Sequence, residues 1–171
     1  ASSDTLMERP PRQDGAARVG VVQLGSFSGS TPSVIGALRA TGVEVLTYDF
    51  SSLSHSPWGF AGRCRAWLRA ARTGYPWTRM PEWSDAIGRV VAQLPDVPLI
   101  FMQTVLACDV DPNRPYVVMT DRVGAERHSD TSPWASSSHP GWLESELRFL
   151  AGANHVFVMG PTSADALADL G

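Results

Sequence analysis

Short, continuous apolar runs alternate along this chain with longer stretches of helical periodicity. Arg18 to Leu24 (RVGVVQL) is too short and too Val-rich for a helix and is predicted to be a buried strand. A turn follows through Gly25, Ser26, Phe27, Ser28 and Gly29, with Thr31 as the expected N-cap and Pro32 at the expected first helical position. Val34, Ile35 and Leu38 form the helical stripe, and Gly42 stops it. Val43 to Tyr48 is a second strand, ending in Asp49. Residues 18–49 thus read as a βαβ unit with a glycine-bearing turn after its first strand, the place where open α/β sheets bind ligands.

The same reading carries on to the end of the chain. Residues 51–58 have no periodicity and form a loop. Phe60 to Thr73 is an amphipathic helix in which Phe60, Cys64, Trp67 and Ala71 share one face, with Leu68 at its edge and Arg65, Arg69 and Arg72 opposite. Docking of the apolar face on the sheet is the expectation, which would place Trp67 in the core together with Trp83 and Trp142. Gly74 to Trp77 is a turn. Pro81 opens a helix carrying Trp83, Ile87 and Val90 or Val91 and closing near Leu94, and Pro98 to Gln103 is a third buried strand. Tyr116 to Thr120 is a fourth strand, ending at Asp121. From Arg122 to His139 neither period is present, and a connection of that length inside a compact domain is usually functional. Pro140 opens a helix with Leu143, Leu147 and Leu150, His155 to Met159 is a fifth strand, and Pro161 to Leu170 a last helix. Strands that read as unbroken apolar runs between helices predict α/β architecture: a Rossmann-like, doubly wound parallel sheet in a single domain over residues 17–171, after a solvated tail over 1–16.

Composition narrows the chemistry. A net charge of −3 over 171 residues gives no electrostatic footprint for nucleic acid. No apolar run reaches the length of a membrane span, and the N-terminal stretch lacks the apolar segment of a signal peptide. Two distant cysteines, Cys64 and Cys108, fit reduced structural thiols, so the expected location is the cytoplasm. The chain has no lysine, which excludes Walker A loops, Schiff bases and lysine general bases. From Gly59 to Pro81 there are five arginines and no acid. That is either a solvated basic face or, through Arg65, Arg69 and Arg72, a contact for an anionic membrane surface or a phosphate-bearing acceptor.

Several constellations could carry chemistry. The turn Gly25 to Thr31 lacks the third glycine of a dinucleotide fingerprint, but its hydroxyls and helix start resemble a flavodoxin phosphate-binding loop; a plain βα turn is the competing reading. Asp109 and Asp111 form an Asp-x-Asp pair that resembles a metal-binding signature, yet Pro112 beside it suggests a surface turn, and no metal is expected. An EF-hand start fails because Arg114 stands at the glycine position and Thr120 at the bidentate acid. Asp121 lies where a strand end meets a cleft, and Glu126 and His128 follow it. A carboxylate or imidazole there could orient or deprotonate a hydroxyl, or Asp121 could simply pair with Arg122 or Arg127. Trp58, Trp77 and Trp134 each follow a proline in a loop, where they could stack on sugar faces or cover the rim of the core.

The last segment, Val156 to Met159, Thr162-Ser163 and Leu167 to Gly171, resembles the end of the N-terminal domain of GT-B-fold glycosyltransferases of the family-4 retaining type. The opening, with its glycine loop and a helix running into Ala40-Thr41-Gly42-Val43, resembles that domain's start. Arg114 to Asp121 resembles the strand that brings a polar residue to the cleft. The resemblance spans roughly residues 17 to 171 and implies half of a GT-B fold: an acceptor-binding domain whose donor-binding partner domain is missing, so that this chain alone would not transfer sugar. For the complete enzyme it implies retaining transfer from a nucleotide-sugar to a hydroxyl acceptor with no resident cofactor, in the cytoplasm or peripherally at the inner membrane face. Asp121 and His128 would be the catalytic candidates, with Gly25, Ser26, Phe27, Ser28, Gly29, Asp49, Trp58, Glu126 and Trp134 lining the cleft. The Gly-Ser-Phe-Ser-Gly turn departs from the commoner Gly-Gly of that family's first loop. The alternative is a flavodoxin-like module holding FMN on Ser26 to Thr31.

Overall fold

The computed structural model describes residues 17–25, 30–51, 60–121 and 138–168. Five parallel strands form one sheet in the order β2-β1-β3-β4-β5: β1 (Arg18–Gln23), β2 (Glu44–Asp49), β3 (Leu99–Phe101), β4 (Tyr116–Thr120) and β5 (His155–Val158). The helices are α1 (Ser30–Ala40), α2 (Phe60–Thr73), α3 (Pro81–Val91), α4 (Pro140–Gly152) and α5 (Pro161–Ala168), with short 3-10 turns at Trp77–Arg79 and Thr104–Leu106. The Rossmann-like parallel sheet read from the apolar runs is therefore the architecture of the chain. Among the described residues no helix is long and apolar enough to cross a membrane.

Chain order reverses at β1, because β2 lies on one side of it and β3 on the other. Right-handed crossovers then put α1 on one face and the α2–α3 connection on the opposite face. The connection from β3 to β4 and helix α4 continue in the same direction, so they share the α3 face. The core follows this asymmetry. Leu99, Phe101, Tyr116 and Val118 point to the α3–α4 side, where they bury against Trp83, Ile87, Val91, Phe149 and Leu150. Phe101, Tyr116 and Phe149 form an aromatic cluster with centroids 4.9 to 5.7 Å apart. Burial, with smaller contributions from Cys108 and Asp109, pushes the Tyr116 phenol up to about 12, so Oη stays protonated and donates to the Phe149 carbonyl at 2.5 Å. The alternate positions, Ile100, Val117 and Met119, are only half-buried, and Phe157 opposite Met119 is exposed. One face of the sheet is thickly covered and the other thinly.

Local signals explain the element boundaries. Helix α1 ends in a Schellman arrangement in which Val43 N donates to Leu38 O and Gly42 N to Arg39 O. This requires positive φ at position 42, and Gly42 has φ +86°. The helix begins at Ser30, two residues earlier than Pro32 suggests. Thr31 is consequently a buried residue inside the first turn and not the cap. Pro32 is tolerated because first-turn N–H groups have no intrahelical partner. Helix α4 starts at Pro140 as expected, with His139 Nδ1 accepting from Gly141 N at 3.1 Å, but Leu147 faces solvent. Trp83 and Trp142 are core residues at 1% and 2% exposure. Trp77 packs edge-on against Trp83 at 4.8 Å, so it covers the rim of the core and is not presented for stacking.

Arg114 is the least expected core residue. Its guanidinium is buried and donates to three carbonyls: Nε to Val97 at 3.0 Å, Nη1 to Val91 at 3.0 Å, and Nη2 to Pro95. Val91 is the last residue of α3, so the cation sits at a helix C-terminus, where unpaired carbonyls and the helix dipole both favour positive charge.

Cys64 is exposed and Cys108 buried; burial, reinforced by Asp109, holds the Cys108 thiol above its ordinary range. An aromatic disulfide reagent is expected to titrate one thiol in the native protein and two after unfolding. Two fast thiols in the native state would contradict this placement.

Candidate functional site

The carboxyl ends of the strands line one rim, and the order reversal puts the switch point between β1 and β3. Asp49 organises this rim. It stands opposite Gln23 in the β1–β2 register. Its Oδ1 accepts from Gly25 N at 2.9 Å and Ser51 N at 2.8 Å, and its Oδ2 accepts from Gln23 Nε2 at 3.2 Å. Burial raises the Asp49 pKa, but hydrogen bonds from the Ser51 side chain, Gly25 N, Ser51 N and Gln23 outweigh it, and the net shift is downward from 3.8. Asp49 is thus an anion near neutral pH that clasps the turns after β1 and β2 together. Gly25 has φ +64°, a conformation a side chain would strain, which accounts for the first glycine of the turn.

This geometry bears on what the rim can hold. A phosphate-binding loop needs free backbone N–H groups. Here Gly25 N and Ser51 N are already taken by the protein's own carboxylate. The clasp also fixes the Gln23 amide: Nε2 must face Asp49, which turns Oε1 the other way. Gln23 Oε1 is buried and has no partner among the described residues, and the same is true of Oε1 of Gln103, which follows β3. Met102 N donates to Val22 O at 3.0 Å, so the two glutamines lie at the ends of adjacent strands, on either side of the switch point. A buried carbonyl-type oxygen without a donor is costly, and a ligand hydroxyl or N–H would relieve it.

The residues singled out from the sequence are distributed along this rim. Gly25 and Asp49 meet directly. Asp121 follows β4 on the same edge, exposed, two strand spacings or roughly 10 Å from β1. Ser26, Phe27, Ser28, Gly29, Trp58, Glu126, His128 and Trp134 lie outside the described residues. Asp111 accepts from Asn113 N at 2.8 Å and Asn113 Nδ2 at 3.2 Å, which makes it a turn residue; Asp109 pairs on the surface with Arg148 at 3.6 Å. The sequence-level reading passed over Gln23 and Gln103 because each ends an apolar run. The available signal was that two strands destined to be neighbours both end in an amide.

Compared with known protein families, curated proteins and solved structures, the chain matches none of them.

Helix α2 spans the predicted residues but does not bury the predicted face. Among its described residues Gly62, Ala66 and Ala70 are half-buried, whereas Cys64, Trp67, Leu68 and Ala71 are exposed. Trp67 is 66% exposed, so the expectation that it packs in the core is overturned. Arg65, Arg69 and Arg72 are exposed as well, and Arg69 pairs with Glu82 of α3.

Proposed function

We propose that the chain is the acceptor-binding half of a glycosyltransferase, with a hydroxyl-bearing acceptor held at the β1–β3 switch point. The sugar would come from a nucleotide-diphosphate donor bound by a second Rossmann-like domain across a cleft. The observation that carries this is the pair of buried, unpartnered amide oxygens of Gln23 and Gln103. Both are acceptors, and a polyol supplies donors to them; a phosphate, with acceptors only, does not. The anionic Asp49 beside Gln23 works against a phosphate in the same place. Gly25 lets the backbone come close to the ligand. Asp121, at the end of β4 on the same rim, would orient or deprotonate the acceptor hydroxyl, with His128 as a further candidate. Transfer with retention follows from the family resemblance alone.

Strand order favours a second reading. The 2-1-3-4-5 order is also that of flavodoxin-like folds, which hold FMN at the equivalent crevice. Ligand-observed NMR with a panel of simple glycosides, beside FMN and inorganic phosphate, separates the two. Saturable glycoside binding that weakens about tenfold in Gln23→Met, with no FMN binding, is the expected result; loss of one buried hydrogen bond is worth roughly that factor. A purified protein with a flavin absorbance spectrum, or FMN binding that Gln23→Met leaves intact, overturns the glycosyltransferase reading.

A further inference from the structure

A helix on a water-soluble domain ordinarily turns its apolar stripe inward and its charges outward. Helix α2 instead turns the small residues Gly62, Ala66 and Ala70 inward and leaves its larger apolar residues outside. A cavity of about 380 Å³ runs along one flank, where Arg65 and Arg69 face Met80, Glu82, Asp85 and Arg89. The outer side of the helix carries Trp67 at 66% and Leu68 at 52% exposure, with Cys64 and Ala71 between them on the helix surface. Arg72 lies exposed at the edge of this stripe. The helix has four arginines and no acidic residue, within a chain of net charge −3.

We infer that the outer face of α2 is a membrane-docking surface that lies in the plane of an anionic lipid bilayer. Trp67 and Leu68 enter the interface between headgroups and acyl chains, and Arg72 meets the lipid phosphates. An apolar stripe flanked by arginine and free of acids is the composition that interfacial helices use, because burial and attraction to anionic headgroups then act together. Fourteen residues span about 21 Å, enough to lie along a surface and too little to cross it. Charge also selects among occupants. Two copies of this chain meeting through α2 would bring together two all-arginine helices, whereas an anionic bilayer complements them. The inference differs from a purely electrostatic contact through the arginine side: Arg69 of that side pairs with Glu82, and the exposed Trp67 and Leu68 are the residues that enter the bilayer.

Sedimentation of the intact chain with vesicles tests it. Phosphatidylcholine vesicles containing phosphatidylglycerol are expected to bind the protein, and pure phosphatidylcholine vesicles to bind it at least about tenfold more weakly. Trp67→Ser combined with Leu68→Ser should reduce binding to the anionic vesicles by about tenfold or more, with the thermal transition retained because both side chains are exposed. Arg72→Gln should weaken binding severalfold and reduce its salt sensitivity, which keeps the test decisive should the double variant fold poorly. A polarity-sensitive fluorophore on Cys64, the exposed thiol, should shift to the blue on anionic vesicles. No binding to anionic vesicles, equal binding to neutral ones, or binding unchanged in the Trp67/Leu68 variant each overturns the inference. A concentration-dependent dimer that the same variant dissolves, without vesicle binding, overturns it in favour of self-association.

Discussion

Arg114→Ala is expected to lower the unfolding free energy by about 3–4 kcal/mol, the largest single-residue effect outside the aromatic core. The guanidinium is buried and donates to the carbonyls of Val91, Val97 and Pro95. Removing it leaves three acceptors facing a cavity, and water can restore only part of the bonding. A domain of this size has a stability of roughly 10 kcal/mol, so the change should lower the melting temperature by about 10 °C. Arg114→Lys is the sharper variant. It keeps the charge at the end of α3 but has no planar fork, so it should recover no more than about half of the loss. Urea denaturation of the three proteins measures this. A lysine variant as stable as the parent would mean that charge alone matters at this site, and the three-carbonyl account would fail.

The second large effect is expected at Asp49. Asp49→Ala removes the acceptor for Gly25 N, Ser51 N and Gln23 Nε2 together, at a cost of about 2 kcal/mol, and also frees the Gln23 amide to rotate. Acceptor binding at the switch point should therefore fall with stability, although Asp49 itself spends its carboxylate on the protein. The pH dependence has a definite sign. The folded-state pKa lies below the ordinary 3.8, so the stabilisation is fully present above the unfolded value and is lost as pH falls through the folded one. The stability gap between the parent and Asp49→Asn should be constant near neutral pH and close as the medium is acidified below 3.8. A gap that persists into stronger acid would show that the ionised form is not what closes the clasp.

These two residues mark how far the sequence could be read. Strands β1 and β4 were legible because a buried parallel strand must be an unbroken apolar run, and RVGVVQ and YVVMT admit little else. Arg114 appeared there as an obstacle to an EF-hand and as the lead-in to β4; its capping role depends on a connection folded back from residues 91 to 97, which no local pattern encodes. The buried face of α2 was misread for a related reason. Periodicity says that faces differ, but which face turns inward is a tertiary matter, and here it is the one carrying the small residues Gly62, Ala66 and Ala70. The rim was legible in part. Gly25 and Asp49 could be placed at strand ends, while the paired orphan oxygens of Gln23 and Gln103 depend on which strands become neighbours.

The thin covering of one sheet face has a consequence for handling the protein. Strand β5 is the outermost strand on its side, and its sequence, HVFV, contains no proline and no acidic or arginine residue. Phe157 and Met159 stand exposed on and just beyond it. Edge strands in soluble proteins are commonly guarded by a charge, a proline or a bulge, since an unguarded edge is a template on which another chain can add its own strand. Among the described strands this edge is therefore the one expected to pair with neighbouring copies at high concentration, and a charged residue at position 157 is the natural guard to install.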